Sequence, residues 1–337
     1  MSQVLVTGGT GYVGGWAIVA LLQRGHDVRT TVRSSSRVQA VIDAVSAEVD
    51  PGERLSFAHA DLTRDDGWDA AMAGVDFVLH VASPLGSGDD KDADALIVPA
   101  RDGALRVLRA ATRAQVKRVV MTSAANAASP MSYRTEGVTD ETLWTVDDPS
   151  LPAYRRSKTI AEKAAWDFMA GHDGPTELTT VLPGAVLGPV LTPNDVGTAS
   201  LIQRMLRGEM RGSPKIGLEV VDVRDLVDLH IRAMTAPEAA GQRFLGSGPF
   251  IWMADIARAL KAALGDDAAK VSERELPNVL VRLMSLFDPS LKAITVSLGR
   301  RNRHTTNKAQ QILGWTPRPA EKTVVECAES LIGHGLG

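Results

Sequence analysis

A doubly wound parallel α/β sheet with a smaller, mostly helical C-terminal lobe is the fold class predicted for this chain of 337 residues. First, short β-rich runs alternate with helical patterns through the first half, which is typical of a parallel sheet covered by helices on both faces. Second, a glycine cluster separates the first apolar run from the first helical pattern. Third, glycines and prolines loosen the pattern past Pro183, which indicates a less regular region.

The strands and helices of the predicted sheet follow from apolar periodicity. Gly25 lies just past the end of the first helix, which is a favoured place for glycine. Small and apolar residues recur at helical spacing over 94–114. The predicted strands are 3–7, 28–32, 55–58, 75–82, 118–122, 178–182 and 242–245. The predicted helices are 13–23, 94–114, 153–170, 198–208, 223–235, 251–264, 305–313 and 320–333.

The chain contains no repeat and no linker that marks a clean domain break. Residues 124–152 form a weakly periodic insertion rich in Ser, Asp, Pro and Thr. We expect the sheet domain to comprise residues 1–184 and 216–246, and the smaller lobe to comprise residues 185–215 and 247–337. In such a fold the ligand site lies beyond the carboxyl ends of the strands.

Composition excludes several classes of protein. With 44% apolar and 23% charged residues the chain is ordinary for a globular protein. Its 37 basic and 40 acidic residues give a net charge of −3, so neither nucleic acid nor an anionic membrane is expected as partner. One cysteine, Cys327, excludes an internal disulfide or a multi-cysteine metal site, and no metal is expected. Without a secretory signal or a long apolar span, a cytoplasmic location is predicted.

The glycine cluster predicts a dinucleotide site. Gly8, Gly11 and Gly14 are spaced three apart between a strand and a helix. The first glycine permits a sharp turn, the second lets a pyrophosphate approach the backbone, and the third lets helix and strand pack closely. A packing turn is the alternative, but the strand–turn–helix context favours an NAD(P)-binding Rossmann fold.

The residue after the second strand favours NADP(H) over NAD(H). An NAD site usually has an acid about 20 residues past the glycines, whereas this chain has Arg33 nineteen residues after Gly14. Arg33, with Arg37, can pair with a ribose 2′-phosphate. The alternative is a solvated arginine at a strand end, with the serines at 34–36 starting the next helix. Asp61 is predicted to contact the adenine or to cap a helix.

Tyr154 and Lys158 are the predicted catalytic pair, because residues four apart share one face of a helix. A carbonyl that accepts hydride must also receive a proton, and a phenol near a cation can supply it. A third polar group is expected where the fifth strand ends, and Ser123 is the candidate for binding the carbonyl oxygen. His80 is interpreted as a buried structural histidine, and Cys327 and Trp315 as core residues.

The sequence resembles the extended short-chain dehydrogenases/reductases, within them the dihydroflavonol reductase, cinnamoyl-CoA reductase and microbial carbonyl reductase group. The motifs that carry the resemblance are TGGTGYVG (7–14), TVR (31–33), ADL (60–62), HVASP (80–84), VVMTS (119–123), YRRSK (154–158), LPGAVLGP (182–189), VDVRDL (221–226) and KAQQILGWTP (308–317). The resemblance implies NADPH as cofactor and Tyr154 as proton donor, with Lys158 bonded to the nicotinamide ribose and lowering the pKa of the tyrosine. It implies that residues 183–186 pass beside the nicotinamide, and that substrate sits between residues 124–135 and 185–210.

The cofactor-binding residues predicted from these motifs lie at strand ends and in the glycine turn. They are Gly8, Thr10, Gly11, Tyr12, Val13, Gly14, Arg33, Arg37, Asp61, Leu62, Val81, Ala82, Ser83, Thr122, Tyr154, Lys158, Pro183, Gly184, Ala185 and Val186. The family commonly has Thr-Ser-Ser where this chain has Thr122-Ser123-Ala124, so the usual carbonyl-binding serine is an alanine. Ser123, Thr122, Asn126 or a water molecule would have to replace it.

The predicted function is NADPH-dependent reduction of a small to medium aldehyde or ketone. An NAD-dependent nucleotide-sugar epimerase or dehydratase is one alternative, against which Arg33 argues. A non-catalytic NADP(H)-sensing protein is another, for which Ala124 gives room. A homodimer is possible on the resemblance alone. The apolar residues Leu280, Leu283, Leu286 and Phe287 are interpreted as a packed helix rather than a pocket wall.

Overall fold

The computed structural model describes residues 1–84, 92–132, 136–193, 197–287 and 294–337. Its strands are β1 (Gln3–Thr7), β2 (Asp27–Val32), β3 (Leu55–His59), β4 (Phe77–His80), β5 (Arg118–Thr122), β6 (Gly137–Thr139), β7 (Glu177–Pro183), β8 (Ala185–Leu187), β9 (Ser213–Pro214), β10 (Gly217–Asp222), β11 (Arg243–Gly246), β12 (Phe250–Trp252), β13 (Glu275–Leu276) and β14 (Asn302–His304).

The helices of the described residues lie between these strands and after them. They are α1 (Tyr12–Gln23), α2 (Val38–Ser46), α3 (Trp68–Met72), α4 (Asp94–Arg113), α5 (Ala153–Ala170), α6 (Ser200–Leu206), α7 (Val223–Thr235), α8 (Met253–Leu264), α9 (Asn278–Met284), α10 (Asn307–Leu313) and α11 (Ala320–Gly333).

The central sheet has seven strands in the order β11-β7-β5-β4-β1-β2-β3, and every pairing in it is parallel. Strand alternation separates two apolar layers. Val4 and Val6 of β1 face the core formed with α1 and α7, whereas Leu5 faces the core formed with α4 and α5. The reversal of strand order between β1 and β4 leaves a crevice at the carboxyl edge of the sheet. The predicted doubly wound fold is confirmed.

Three smaller sheets lie outside the central one. β8, β10 and β12 form a three-stranded sheet, β9 pairs with β13, and β6 pairs with β14. β10 comes from the predicted sheet domain, while β8 and β12 come from the predicted lobe. One apolar core runs through both parts, from Val4 to Leu331. The proposed division into two lobes stays a prediction.

Several predicted elements match closely. The structure has β5, α7 and α11 at the predicted limits, and Trp315 and Cys327 are buried as expected. β4 is shorter than predicted, because residues 81–84 leave the sheet. Within the described ranges no helix combines the length and apolarity needed to cross a bilayer.

Candidate active site at the carboxyl edge of the sheet

The glycine turn brings backbone close to backbone where β1 ends. Gly8 has a φ of +79°, and a Cβ there would lie 3.0 Å from the backbone of Ala82. A Cβ on Gly14 would lie 2.0 Å from the carbonyl oxygen of Gly8. The Gly11 N–H donates to that same carbonyl over 2.9 Å, which closes the turn before α1 begins at Tyr12. A side chain at Gly8 or Gly14 would therefore clash with the backbone that forms the turn, so the close packing of this predicted pyrophosphate cradle requires glycine at both positions.

The ends of β1 and β4 are joined by side chains below this cradle. The Ala82 N–H donates to Thr7 Oγ1 over 3.1 Å, and Thr7 Oγ1 lies 2.8 Å from His80 Nδ1. Burial, with a smaller effect from the Lys158 charge, lowers the pKa of His80 to about 3, so the ring is neutral near pH 7. His80 is therefore the buried structural histidine that the sequence predicts.

Arg33 and Arg37 lie together just after β2. Both side chains are exposed, and neither forms an ion pair within the part of the chain that the structure describes. Ser34 serves the local turn, because its Oγ accepts from the Ser36 N–H over 3.3 Å and lies 2.9 Å from Ser36 Oγ. The capping alternative thus holds for Ser34, while the two guanidinium groups stay open to an anion.

Asp61 stabilises a turn rather than a helix. Its Oδ1 accepts from both the N–H and the Oγ1 of Thr63, each over 2.8 Å. The backbone N–H of Thr63 is the main reason that the pKa of Asp61 is lowered. Helix α3 begins only at Trp68, so the expected helix cap at Asp61 is wrong, and the predicted adenine contact stays a prediction. Leu62, the next residue, packs against α4. A Cβ added at Gly103 of α4 would lie 2.9 Å from the Cβ of Leu62.

Hydrogen bonds from the side chains of Tyr12 and Trp16 connect α1 to the segment after β8. The Tyr12 hydroxyl donates to the carbonyl oxygen of Gly188 over 2.7 Å, and Trp16 Nε1 donates to that of Pro189 over 2.8 Å. The other predicted residues of the glycine turn, Thr10 and Val13, lie beside it and are exposed and half-buried respectively. Tyr12 is therefore part of the frame that holds the turn.

The passage from β7 to β8 is the second close approach. A Cβ on Gly184 would lie 2.3 Å from the carbonyl oxygen of Glu219 and 3.3 Å from Ser247 Oγ. Ser247 Oγ is buried without a hydrogen-bond partner among the described atoms. Of the predicted neighbours, Pro183 ends β7 and Ala185 and Val186 form β8. Val81, Ala82 and Ser83, half-buried, follow β4 at the same edge of the sheet.

Tyr154 and Lys158 lie on one face of α5, as their spacing predicts. Lys158 Nζ is 5.8 Å from the centroid of the Tyr154 ring. Lys158 is buried, and loss of solvent lowers its pKa to about 8 against the opposing field of Glu162. Tyr154 is 37% exposed, yet the protein around its phenol still removes enough solvent to raise its pKa.

The raised pKa of Tyr154 differs from the lowered pKa that the resemblance implies. Burial of the phenol among protein atoms removes solvent from its charged form, and this raises its pKa. A phenol with a raised pKa is protonated at neutral pH, and it is in that form that it can donate a proton.

The predicted role of Ser123 does not fit its position. Strand alternation turns Ser123 to the same face as Met121, towards α5, and its Oγ donates to Glu162 Oε2 over 2.7 Å. A hydroxyl has one proton, so this bond leaves none for a substrate carbonyl. Ser123 is 2% exposed, which also separates it from the crevice. The structure therefore makes Ser123 a buried structural residue.

Thr122 points to the opposite face of the strand, and its hydroxyl is also used in a hydrogen bond within the protein. His230 Nδ1 lies 2.8 Å from the carbonyl oxygen of Leu226, which can only accept, so Nδ1 carries the proton. Burial lowers the pKa of His230 to about 4, so the ring is neutral and Nε2 accepts from Thr122 Oγ1 over 2.8 Å. Of the four replacements considered for the missing serine, Asn126 and water remain. Asn126 is half-buried, and its amide bonds to nothing in the described ranges.

A buried ionic network below Lys158 was missed by the sequence reasoning. Glu162, fully buried, accepts from Ser123, from Thr180 Oγ1 over 2.7 Å and from Arg243 Nε over 2.8 Å. Arg243 also lies 3.6 Å over the ring of Trp144. The available signal was the spacing Tyr154, Lys158, Glu162, which continues the catalytic stripe of α5 by one more turn.

The site combines four features with distinct chemical uses. It has a backbone cradle at Gly8 and Gly14, exposed guanidinium groups at Arg33 and Arg37, a protonated phenol, and a neighbouring amine. The cradle and the guanidinium groups fit the phosphates of a dinucleotide. The described residues contain no group of three or more potential metal ligands. Residues 133–135 and 194–196, which belong to the predicted substrate walls, lie outside the described residues.

Comparisons with known proteins show the family and the fold to which the chain is similar. The sequence profile of the NAD dependent epimerase/dehydratase family matches residues 4–245. Anthocyanidin reductase from Vitis vinifera is 35% identical over 253 residues, 70% of this chain and 74% of that protein. Cinnamoyl-CoA reductase 1 from Arabidopsis thaliana is 34% identical over 247 residues, 72% of this chain and 69% of that protein. Yeast methylglyoxal/isovaleraldehyde reductase Gre2, solved with NADPH, shares the fold at 24% identity with a TM-score of 0.81, covering 99% of this chain and 100% of Gre2.

Proposed function

Since the chain belongs to the NAD dependent epimerase/dehydratase family, as an extended short-chain dehydrogenase/reductase, we propose that it is an NADPH-dependent reductase of small to medium aldehydes or ketones. The resemblance stated from the sequence motifs is thereby confirmed at the level of the family. The observation that carries the proposed reaction is the partly exposed Tyr154, whose raised pKa keeps its phenol protonated and whose ring centroid lies 5.8 Å from Lys158 Nζ.

NADPH is favoured as cofactor by the residues after β2. Arg33 and Arg37 are exposed and without ion-pair partners in the described ranges, so both can bind a 2′-phosphate. No acidic side chain occupies 33–37, where an NAD site usually holds the ribose hydroxyls. Relatives named as reductases, and a Gre2 structure solved with NADPH, support the same choice.

In the proposed reaction the reduced nicotinamide supplies hydride to the carbonyl carbon when it is bound. Tyr154 donates the proton that the carbonyl oxygen requires, because its raised pKa keeps the hydroxyl protonated. Lys158 stabilises the phenolate that forms, since an ammonium near a developing anion lowers its energy. Glu162 lies one turn below, and its negative charge favours the charged form of Lys158.

Asn126 is the proposed donor to the carbonyl oxygen. Thr122 and Ser123 use their protons on His230 and Glu162, whereas the Asn126 amide is unbonded within the described structure and half-exposed. An amide N–H can replace a hydroxyl as the donor that holds a developing oxyanion. With this assignment, a chain with alanine at 124 still has a donor for the carbonyl oxygen.

The test is NADPH oxidation measured against a panel of aldehydes, ketones and β-keto esters, with NADH as the cofactor control. Tyr154→Phe should abolish turnover while NADPH still binds, because only the proton donor is removed. Asn126→Ala should lower kcat about 10²–10³-fold, the usual loss for one oxyanion donor. Turnover retained in Tyr154→Phe would contradict the mechanism.

The same measurements separate the two alternatives. A purified protein that carries bound NAD and ignores NADPH would favour an epimerase or dehydratase. Binding of NADPH without its oxidation by any carbonyl of the panel would favour a sensing protein. That outcome would contradict the proposed reaction but not the fold or the proposed cofactor site.

A further inference from the structure

A second cluster of polar groups, formed by Ser129, His304 and Glu219, lies outside the proton-donating pair Tyr154 and Lys158. Ser129 Oγ lies 2.9 Å from His304 Nε2, and His304 Nδ1 lies 2.5 Å from Glu219 Oε2. We propose that His304, oriented by Glu219, is a positioning residue that fixes the turn 125–128 beside the reacting carbonyl. This inference rests on the proposed reductase function.

The arrangement of Ser129, His304 and Glu219 has the order of a hydrolytic triad, but it is closed to any substrate. Ser129 is 1% exposed, and its Oγ donates to the carbonyl oxygen of Ala125 over 2.8 Å. A nucleophile must be reachable by the carbon that it attacks. The group therefore acts on the protein itself.

Proton counting sets the direction of the chain of bonds. The single proton of Ser129 goes to the carbonyl of Ala125, so Ser129 Oγ accepts from His304 Nε2 when the ring carries a proton on both nitrogens, as an imidazolium paired with the Glu219 carboxylate. On the other side of the ring, Glu219 Oε2 accepts a hydrogen bond from His304 Nδ1–H. Glu219 Oε1 accepts one from the backbone N–H of His304 over 2.6 Å. Glu219 thus fixes the histidine at two points, and the histidine fixes Ser129.

Ser129 closes the turn that follows the fifth strand. The bond from its Oγ to Ala125 spans the turn 125–128, which carries Asn126. Thr145 supports the same turn, because its Oγ1 accepts the Ser129 N–H over 3.0 Å and donates to the carbonyl oxygen of Asn126 over 2.6 Å. The position of Asn126 therefore depends on how firmly Ser129 is held.

The same turn is joined to the helix of the proton donor. Arg155, next to Tyr154, donates through Nη2 to the carbonyl oxygens of Ser129 and Pro130, each over 2.7 Å. On the far side, the carbonyl oxygen of Glu219 lies against Gly184, in the passage assigned to the nicotinamide. His304 itself comes from β14, which pairs with β6 in the middle of the insertion 124–152. One set of hydrogen bonds thus connects β14 near the C-terminus, the turn 125–128 and α5.

Two substitutions at His304 separate its two bonds. His304→Gln keeps a donor where Nε2 lies and should retain the bond to Ser129 Oγ. His304→Asn keeps a donor where Nδ1 lies and should retain Glu219 but lose Ser129. Because a displacement of about 1 Å can cost on the order of 100-fold in rate, we expect kcat for carbonyl reduction to fall about 10–100-fold in His304→Asn. We expect most of kcat to be retained in His304→Gln, and the Kd for NADPH to be unchanged in both.

Ser129→Ala should reproduce the loss in His304→Asn, and the double variant should be no worse than either single one. His59→Gln, at an exposed histidine in β3, is the control and should behave as wild type. Equal kcat in the Gln and Asn variants, or additive losses in the double variant, would overturn the proposal.

Hydrogen exchange provides a readout that does not need turnover. The Ala127 N–H donates to the carbonyl of Ala124 over 2.8 Å, and the Ser129 N–H is bonded to Thr145. Both amides should exchange faster in His304→Asn than in His304→Gln, with β1 and β5 unaffected. Unchanged exchange would refute the positioning role. Faster exchange in a protein without reductase activity would uphold that role and refute the proposed function instead.

Discussion

Lys158 is a buried amine on α5 whose charged form loses its solvation when the protein folds. Burial lowers its pKa to about 8, whereas an unfolded lysine has a pKa near 10.4. The folded state therefore binds the proton less tightly than the unfolded state, which at neutral pH amounts to about 3 kcal/mol of lost stability. The residue is retained, on the proposed function, for its charge beside Tyr154.

We therefore expect Lys158→Met to raise the melting temperature at pH 7 while abolishing carbonyl reduction. The sign follows from linkage: wild type gains stability as the pH rises from about 8 to 10, because there the unfolded state holds the extra proton. The advantage of Lys158→Met should shrink over that range. Thermal unfolding at pH 7 and pH 10 measures both values.

Lys163→Met, at an exposed lysine of the same helix, is the matched control and should change neither stability nor its pH dependence. A Lys158→Met protein less stable than wild type at pH 7 would mean that the amine contributes more through Glu162 than it loses by burial.

Helix α5 is held to the sheet by a buried ion pair as well as by apolar contacts. Glu162 is fully buried, and the side chain of Arg243 is 9% exposed. Removal of one partner from such a pair leaves the other charge uncompensated, which typically costs about 3–5 kcal/mol. The pair therefore couples α5 to β11, from which Arg243 projects.

Glu162→Gln should lower the midpoint of urea unfolding by an amount that corresponds to about 3–5 kcal/mol, because the Arg243 charge then lacks a carboxylate. Asp66→Asn is the control: the Arg64–Asp66 pair is 70% and 72% exposed, so its loss should be undetectable. Wild-type stability of Glu162→Gln would mean that the carbonyl oxygens of Glu141 and Leu143, to which Arg243 also donates, satisfy the guanidinium alone.

The helices and strands that could be predicted from sequence are those whose apolar pattern lies entirely within the element. β5 has three consecutive apolar residues between Arg118 and Thr122, and α7 and α11 have long periodic apolar faces, so the observed limits of all three match the predicted ones. β8 and β12 have three residues each and exist because β10 pairs with both, across more than 25 residues of chain. A contact between segments so distant leaves no local signal.

Helix α9 shows the opposite error, in which an apolar pattern does not imply burial. Within α9 Val281 is buried, whereas Val279 and Leu283 are 69% and 56% exposed. Beyond it, Leu286 and Phe287 are 74% and 89% exposed. The expected packed helix is therefore wrong for most of these residues. Apolar content indicates what a segment can bury, and only the tertiary structure shows which side is covered.

The carboxyl edge of the sheet explains which parts of the site could be predicted. The glycine turn and the Tyr154–Lys158 pair are local, and the structure brings both to this edge. The direction of Ser123 depends on strand alternation and on Glu162, a residue 39 positions away. The sequence predicts a hydroxyl at this strand end, but the hydrogen-bond partner decides whether its proton is available.

Cofactor binding should stabilise the whole molecule against unfolding. Arg33 should determine whether NADPH stabilises it more than NADH does. A ligand that binds only the folded state adds about 2.7 kcal/mol at 100 times its Kd, so NADPH should raise the melting temperature. An arginine–phosphate bond contributes about 1.5–3 kcal/mol, so its loss should raise the Kd for NADPH about 10–100-fold. Arg33→Ala should then lose most of the NADPH-dependent shift and keep any shift caused by NADH, which lacks the 2′-phosphate.

Arg113→Ala is the matched control, because Arg113 is an exposed arginine on α4 paired with Asp69 on the outer surface. It should retain the full response to NADPH. If Arg33→Ala keeps the wild-type shift and Arg33→Ala/Arg37→Ala loses it, Arg37 is the main phosphate ligand. If both variants keep it, the 2′-phosphate is bound elsewhere, and the exposed guanidinium groups after β2 are solvated ends of a strand and a turn.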